Sequence, residues 1–108
     1  MAKLPGHPVR GSTTGRPIMA LLDLLGQRWT LRILWELKAG AMTFRALREV
    51  CDGVSPTLLN TRLKDLRQVQ FVELTDSGYA LTKMGRELVE EFSALDRWAE
   101  GWAKTLNQ

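Results

Sequence analysis

Residues 43–66, Thr43-Phe44-Arg45-Ala46-Leu47-Arg48-Glu49-Val50-Cys51-Asp52-Gly53-Val54-Ser55-Pro56-Thr57-Leu58-Leu59-Asn60-Thr61-Arg62-Leu63-Lys64-Asp65-Leu66, read as two helices joined by a tight turn. Thr43 has the oxygen that an N-cap needs, and Phe44, Leu47 and Val50 recur at helical spacing. Asp52-Gly53 is a turn signal, and Ser55-Pro56 supplies a cap followed by a proline at the first helical position. The second helix should run to about Val69. At about 100° per residue, Leu58, Leu59, Leu63 and Leu66 share one arc of it, while Thr57, Asn60, Thr61 and Lys64 lie opposite. The polar arc is made of short hydrogen-bonding groups and one cation, unlike the Glu/Lys mixture of a merely solvated face. Such groups can read base edges in a major groove. Arg62 stands apart: it points toward the apolar arc and is expected to snorkel or to pair with an acid of the C-terminal helix.

The flanking sequence completes a plan. Val72–Thr75 and Tyr79–Leu81 read as two short strands around a three-residue loop, Asp76-Ser77-Gly78. Thr82 caps a last helix reaching about Leu106. Upstream, Ile18, Leu21, Leu22 and Leu25 mark a helix that Gly26 ends, and Thr30 to Lys38 a second, stopped by Gly40. Residues 41–43 are short and extended. A helix pair followed directly by a hairpin predicts a mainly α domain with a small β-hairpin wing, a winged helix-turn-helix over residues 18–108 with a long C-terminal dimerisation helix. Residues 1–17, with Pro5, Pro8, Pro17 and three glycines, read as a flexible basic N-terminal arm.

Charge supports a phosphate-facing surface. The chain has 108 residues and a net charge of +3, which equals the charge of the arm, from Lys3, Arg10 and Arg16. The remainder is neutral overall but uneven: residues 28–67 carry eight basic and four acidic side chains, residues 84–108 three and five. No apolar run approaches a membrane span and no secretory leader is visible, so the expected location is cytoplasmic, with no membrane partner. One histidine (His7) and one cysteine (Cys51) leave no metal cluster and no intrachain disulfide. No Ser-His-Asp set, glycine-rich phosphate loop or cofactor motif is present, so no catalytic residue, cofactor or enzyme activity is expected.

The chain resembles the HxlR-type winged helix-turn-helix regulators over about residues 16–102. Arg16-Pro17-Ile18 with Gly26-Gln27-Arg28-Trp29 is similar to the family's opening pattern, Cys-Pro-Val followed by Gly-Gly-Lys-Trp. Thr43 to Arg48 matches its Phe-x-x-Leu segment, Val54-Ser55 with Leu59, Leu63 and Leu66 its recognition helix, and Leu81-Thr82-Lys83-Met84-Gly85 the Leu-Thr-x-x-Gly that leaves the wing. The resemblance implies a DNA-binding transcriptional regulator, more often a repressor, acting as a homodimer on a near-palindromic operator in double-stranded DNA. It implies phosphate contacts from Arg28 and Arg45 beside the readers Ser55, Thr57, Asn60, Thr61 and Lys64. There are three departures. Arg16 replaces the family cysteine, so the thiol switch of some members cannot operate from that position. The wing is short, with Asp76 at its tip. Gln70 replaces a frequent helix-ending glycine.

Leu88, Phe92, Leu95, Trp98 or Ala99, Trp102 and Leu106 form a stripe too long for so small a body, and its surplus, Trp98 included, is expected at the dimer interface with Leu21 of the first helix. Trp98 and Trp102 also allow a pocket for a small aromatic effector, though core and interface roles are favoured for the tryptophans. Cys51 is a redox candidate, but Arg48 and Asp52 beside it cancel, and a structural role is favoured. The alternatives left open are a winged-helix protein-protein interaction module, and a regulator gated by an aromatic effector or by Cys51 oxidation.

Overall fold

The computed structural model describes residues 16–108. Apart from Arg16 and Pro17, the arm lies outside the described residues, as does His7. The elements are α1 (Pro17–Leu25), α2 (Thr30–Leu37), α3 (Phe44–Val50), α4 (Pro56–Gln68), β1 (Val72–Thr75), β2 (Gly78–Leu81) and α5 (Lys83–Leu106). α1 starts one residue before the expected Ile18, which takes Pro17 out of the arm, and α2 and α4 each end one residue early.

The three expected N-caps all form. Thr43 Oγ1 accepts from the Ala46 amide at 3.1 Å, Ser55 Oγ from Leu58 at 3.1 Å and Thr82 Oγ1 from Gly85 at 3.0 Å. Each satisfies an amide that the helix itself leaves unpaired, a contribution of about 1 kcal/mol. The core sits where α2, α3 and α4 meet: Ile33, Leu34, Leu47, Leu59, Leu63 and Leu66 are buried there, with Val72 and Leu81 of the hairpin. Leu58, expected in the apolar arc, is only half-buried, as are Phe44 and Val50.

Two helices differ from the pattern reading. α1 buries Ala20 and Leu24 and leaves Ile18 and Leu22 exposed. It is apolar around most of its circumference, so spacing could not select its inner face. α5 is anchored by Gly85 and Val89, neither in the expected stripe. Leu88 and Phe92 are half-buried beside them, and from Leu95 onward every residue of the helix is exposed.

β1 and β2 pair antiparallel from Val72↔Leu81 to Thr75↔Gly78, so the loop is two residues, Asp76-Ser77, rather than three. Gly78 is drawn into the strand because residue 42 pairs beside it. The Met42 amide donates to the Tyr79 carbonyl at 2.9 Å and the Tyr79 amide to the Met42 carbonyl at 2.8 Å. With φ at 116°, Gly78 has no room for a side chain: a Cβ would stand 2.5 Å from the Met42 carbonyl oxygen.

Gln70 solves the helix-to-hairpin turn at a cost. α4 closes with the Phe71 amide bonded to the Leu66 carbonyl (2.9 Å) and the Gln70 amide to the Arg67 carbonyl (3.1 Å), a Schellman motif. That motif puts Gln70 in the left-handed region at φ 68°, where a side chain is disfavoured. Gln70→Gly is therefore expected to stabilise the fold by about 0.5–1 kcal/mol, read as a higher urea midpoint at unchanged m-value.

Candidate nucleic-acid interface

α4 is held by Leu59, Leu63 and Leu66 on its buried side, which fixes the opposite side outward. Thr57, Asn60, Thr61 and Lys64 are all exposed there, and Gln68 extends the same face. Ser55, at the leading end, accepts the Leu58 amide and keeps its hydroxyl proton to donate. The Thr61 hydroxyl instead donates to the Thr57 carbonyl at 3.0 Å, one turn back. That bond commits the Thr61 hydroxyl, whereas the side chains of Thr57, Asn60, Lys64 and Gln68 are all uncommitted.

Cations border the face on both sides. On one flank, Arg28 in the α1–α2 turn is exposed, with its guanidinium 5.8 Å from the Trp29 ring centroid. On the other, Lys64, Arg67 and Lys83 line an open concavity of about 650 Å³ between α4, the base of the hairpin and the start of α5, with Glu73 its one acid. Pattern reading missed Arg67 and Lys83 as part of this surface: they lie on different elements, and only the fold joins them. Arg45, on α3, has a 91 % exposed side chain whose nearest acid is Glu49, at 3.5 Å one helical turn away. A pair so open to solvent is weakly held and free to exchange for a phosphate.

Arg62 does not pair with an acid of α5. Its Nε donates to the Arg28 carbonyl at 2.7 Å, and its Nη1 lies 4.0 Å from Asp65 on its own helix. The hairpin adds exposed Glu73 and Asp76 and no cation.

Cys51 is fully buried under α2. The cation facing it is Arg32 rather than Arg48, and Arg32 is itself engaged by Glu36 at 2.7 Å and the Val50 carbonyl at 2.8 Å. Burial pushes the Cys51 thiol above its ordinary value, and Arg32 offsets only part of this. A raised folded pKa means the neutral thiol is the form the fold favours. Its contribution to stability is complete below the unfolded pKa and is lost as pH rises through the folded value. At neutral pH, iodoacetamide should label native Cys51 at least about a hundredfold more slowly than the urea-unfolded chain. Labelling at equal rates would contradict the buried placement.

Trp29 and Trp35 pack against the core, the latter beneath Lys38 Nζ at 4.4 Å. Trp98 and Trp102 stack on each other with centroids 6.0 Å apart and line neither the basic concavity nor the apolar recesses beside α1 and α2. Among the described residues no helix is long and apolar enough to cross a membrane, and no group of His, Cys, Asp or Glu is placed to hold a metal ion.

The HxlR-like helix-turn-helix family model matches residues 24–107, the span from the end of α1 through α5. The chain belongs to this family. An HTH-type transcriptional regulator of Methanocaldococcus jannaschii is 31% identical over 88 residues, covering 78% of this chain and 83% of its own. The quinone-bound crystal structure of YodB from Bacillus subtilis superposes with a TM-score of 0.73 at 32% identity, covering 78% of this chain and 96% of that one. An HxlR-family transcriptional factor from Thermoplasma volcanium superposes at 0.69 with 29% identity, covering 78% and 82%. The chain is thus an HxlR-type transcriptional regulator with a winged helix-turn-helix fold, and the relatives it matches are regulators rather than enzymes.

Proposed function

We propose that this HxlR-type regulator is a cytoplasmic, sequence-specific DNA-binding protein that acts as a homodimer, as a repressor, on a near-palindromic operator. The observation that carries the reading is the outward face of α4, with Asn60 uncommitted on it and cations on both flanks, Arg28 on one and Lys64, Arg67 and Lys83 on the other. A helix lying in a major groove about 12 Å wide has base edges before it and a phosphate strand on either side. Asn60 suits adenine, Lys64 guanine or phosphate, and Ser55 a phosphate at the leading end. The short acidic hairpin stays out of the minor groove and serves to brace α4 and α5.

Asn60→Ala should weaken binding to a duplex selected from a random pool by about 10- to 100-fold and relax preference at one base pair of each half-site. Lys64→Ala should weaken selected and random duplexes alike if it meets phosphate, and the selected one alone if it meets guanine. Variants that bind as wild type would move the reading away from α4. In the dimer, the exposed stripe of α5 (Leu95, Trp98, Trp102 and Leu106) packs against the twin, with Leu21 and the outer face of α1 beside it. Leu88 and Phe92, half-buried at the base of α5, complete the same seam.

A second reading, a regulator gated by a small aromatic effector, is favoured by an apolar groove of about 630 Å³ between α1 and the end of α4, lined by Ile18, Leu21, Leu24, Val69, Phe71 and Met84. The buried thiol and the arginine at position 16 argue against a covalent switch. A quinone that shifts DNA affinity equally in wild type and Cys51→Ser would place its action in such a groove; a shift lost with Cys51 would restore the thiol.

A further inference from the structure

Arg62 lies on the flank of α4 between the reading face and the core, with its side chain 14 % exposed. A basic residue on a recognition helix is ordinarily taken for a DNA contact, but this one is turned inward. Its Nε–H is committed to the carbonyl of Arg28, thirty-four residues earlier in the chain. The next residue, Trp29, has a φ of 77°, a left-handed conformation that a bulky side chain disfavours. Such a residue persists only where its surroundings hold it, and strain of this kind gathers at functional sites. Four things hold it here: the Ile33 amide on the Trp29 carbonyl at 2.9 Å, the packed Trp29 ring, the Arg28 guanidinium over that ring, and the Arg62 bond to the peptide between Arg28 and Trp29. The bond joins the α1–α2 turn directly to the helix that reads DNA.

We infer that Arg62 is a positioning residue for DNA binding: it touches no DNA itself, but by pinning the Arg28 peptide to α4 it holds the Arg28 side chain in register with the base-reading face, where it grips a phosphate of the flanking strand. The inference rests on the DNA-binding reading above. Pinning the peptide beforehand removes part of the ordering cost that a loose arginine would meet on binding. It also couples the two groups, so that a phosphate held by Arg28 sets the angle at which Asn60 and Lys64 meet the bases.

The test is a double-mutant cycle on the full chain, with a duplex selected by the wild-type protein as probe and affinity measured from 50 to 200 mM salt. Arg28→Ala should free one phosphate per subunit. Each phosphate freed makes the salt slope shallower by about 0.9, so the wild-type advantage shrinks by about 3.5-fold per phosphate over that fourfold salt range. Arg62→Met, which keeps the apolar stem and loses the donor, should show the same change of slope, and the double variant should be no worse than Arg28→Ala alone. A purely structural role would lower the melting temperature and leave the salt slope of the folded protein as in wild type, which would overturn the inference. Additive effects in the double variant would also overturn it. Should Arg62→Met melt below the assay temperature, Arg62→Lys, which keeps the charge without the planar Nε–H, completes the same cycle. A wild-type protein whose binding ignores salt would remove the DNA reading itself; a salt-dependent wild type with an additive cycle removes only the role of Arg62.

Discussion

Gly85→Ala is expected to lower the unfolding free energy by more than about 3 kcal/mol, enough to leave so small a domain largely unfolded at physiological temperature. Gly85 is buried in the first turn of α5, against the Phe71 carbonyl in the link from α4 to β1. A Cβ at this position would run into the Phe71 carbonyl oxygen, with Leu81 Cδ2 3.3 Å away on the other side. The carbonyl cannot retreat, because it accepts the Thr82 amide at 3.0 Å, and Phe71 is tied to Leu66 through its own amide. Thr82 adds a bond from its hydroxyl to the Gln70 carbonyl at 2.5 Å. The helix would have to lift, and Val89 would leave the core with it. Urea unfolding followed by tryptophan fluorescence checks this; a variant within about 1 kcal/mol of wild type, on the order of an ordinary surface change, would show that α5 does not rest on this approach.

The second large effect is expected on association. Trp98→Ala combined with Trp102→Ala should weaken the homodimer by about a thousandfold or more, since two aromatic anchors contribute about 2 kcal/mol each at the centre of an interface. The stacked pair is 66 % and 54 % exposed in the single chain, with Leu95 and Leu106 beyond them on the same helix. Soluble chains seldom leave so continuous an apolar stripe open to water. Sedimentation at micromolar concentration should find wild type as a dimer and the double variant as a folded monomer, because neither ring belongs to the core cluster. A wild-type monomer would remove the interface assignment.

The helix pair, the caps and the hairpin were legible because each has a local chemical cause: a hydroxyl before a helix, a proline in its first turn, a glycine where φ must be positive. Helical spacing likewise sorted α4 into a buried and an exposed face. What spacing could not show was set by packing between distant segments. Ile18 and Leu22 have the right period for a core, yet α1 turns Ala20 inward because small residues allow close approach. Gly78 joined its strand because Met42, far upstream, pairs with Tyr79. Arg62 read as a misplaced cation until its carbonyl partner, Arg28, came beside it. Arg67 and Lys83 are ordinary surface residues in the sequence, and the fold places them on one border of the reading face.

The salt dependence of wild-type binding to a selected duplex decides whether this protein reads DNA sequence. Each subunit brings Arg28, Arg45 and Lys64 to the surface around α4, with Arg67 and Lys83 on its far border. A dimer using two to four of these per subunit should give a slope of log K against log salt of about −4 to −7, with random duplexes bound at least about a thousandfold more weakly than the selected one. A slope near zero, or equal affinity for selected and random DNA, would contradict a sequence-reading regulator and leave the exposed face of α4 as a surface for another protein.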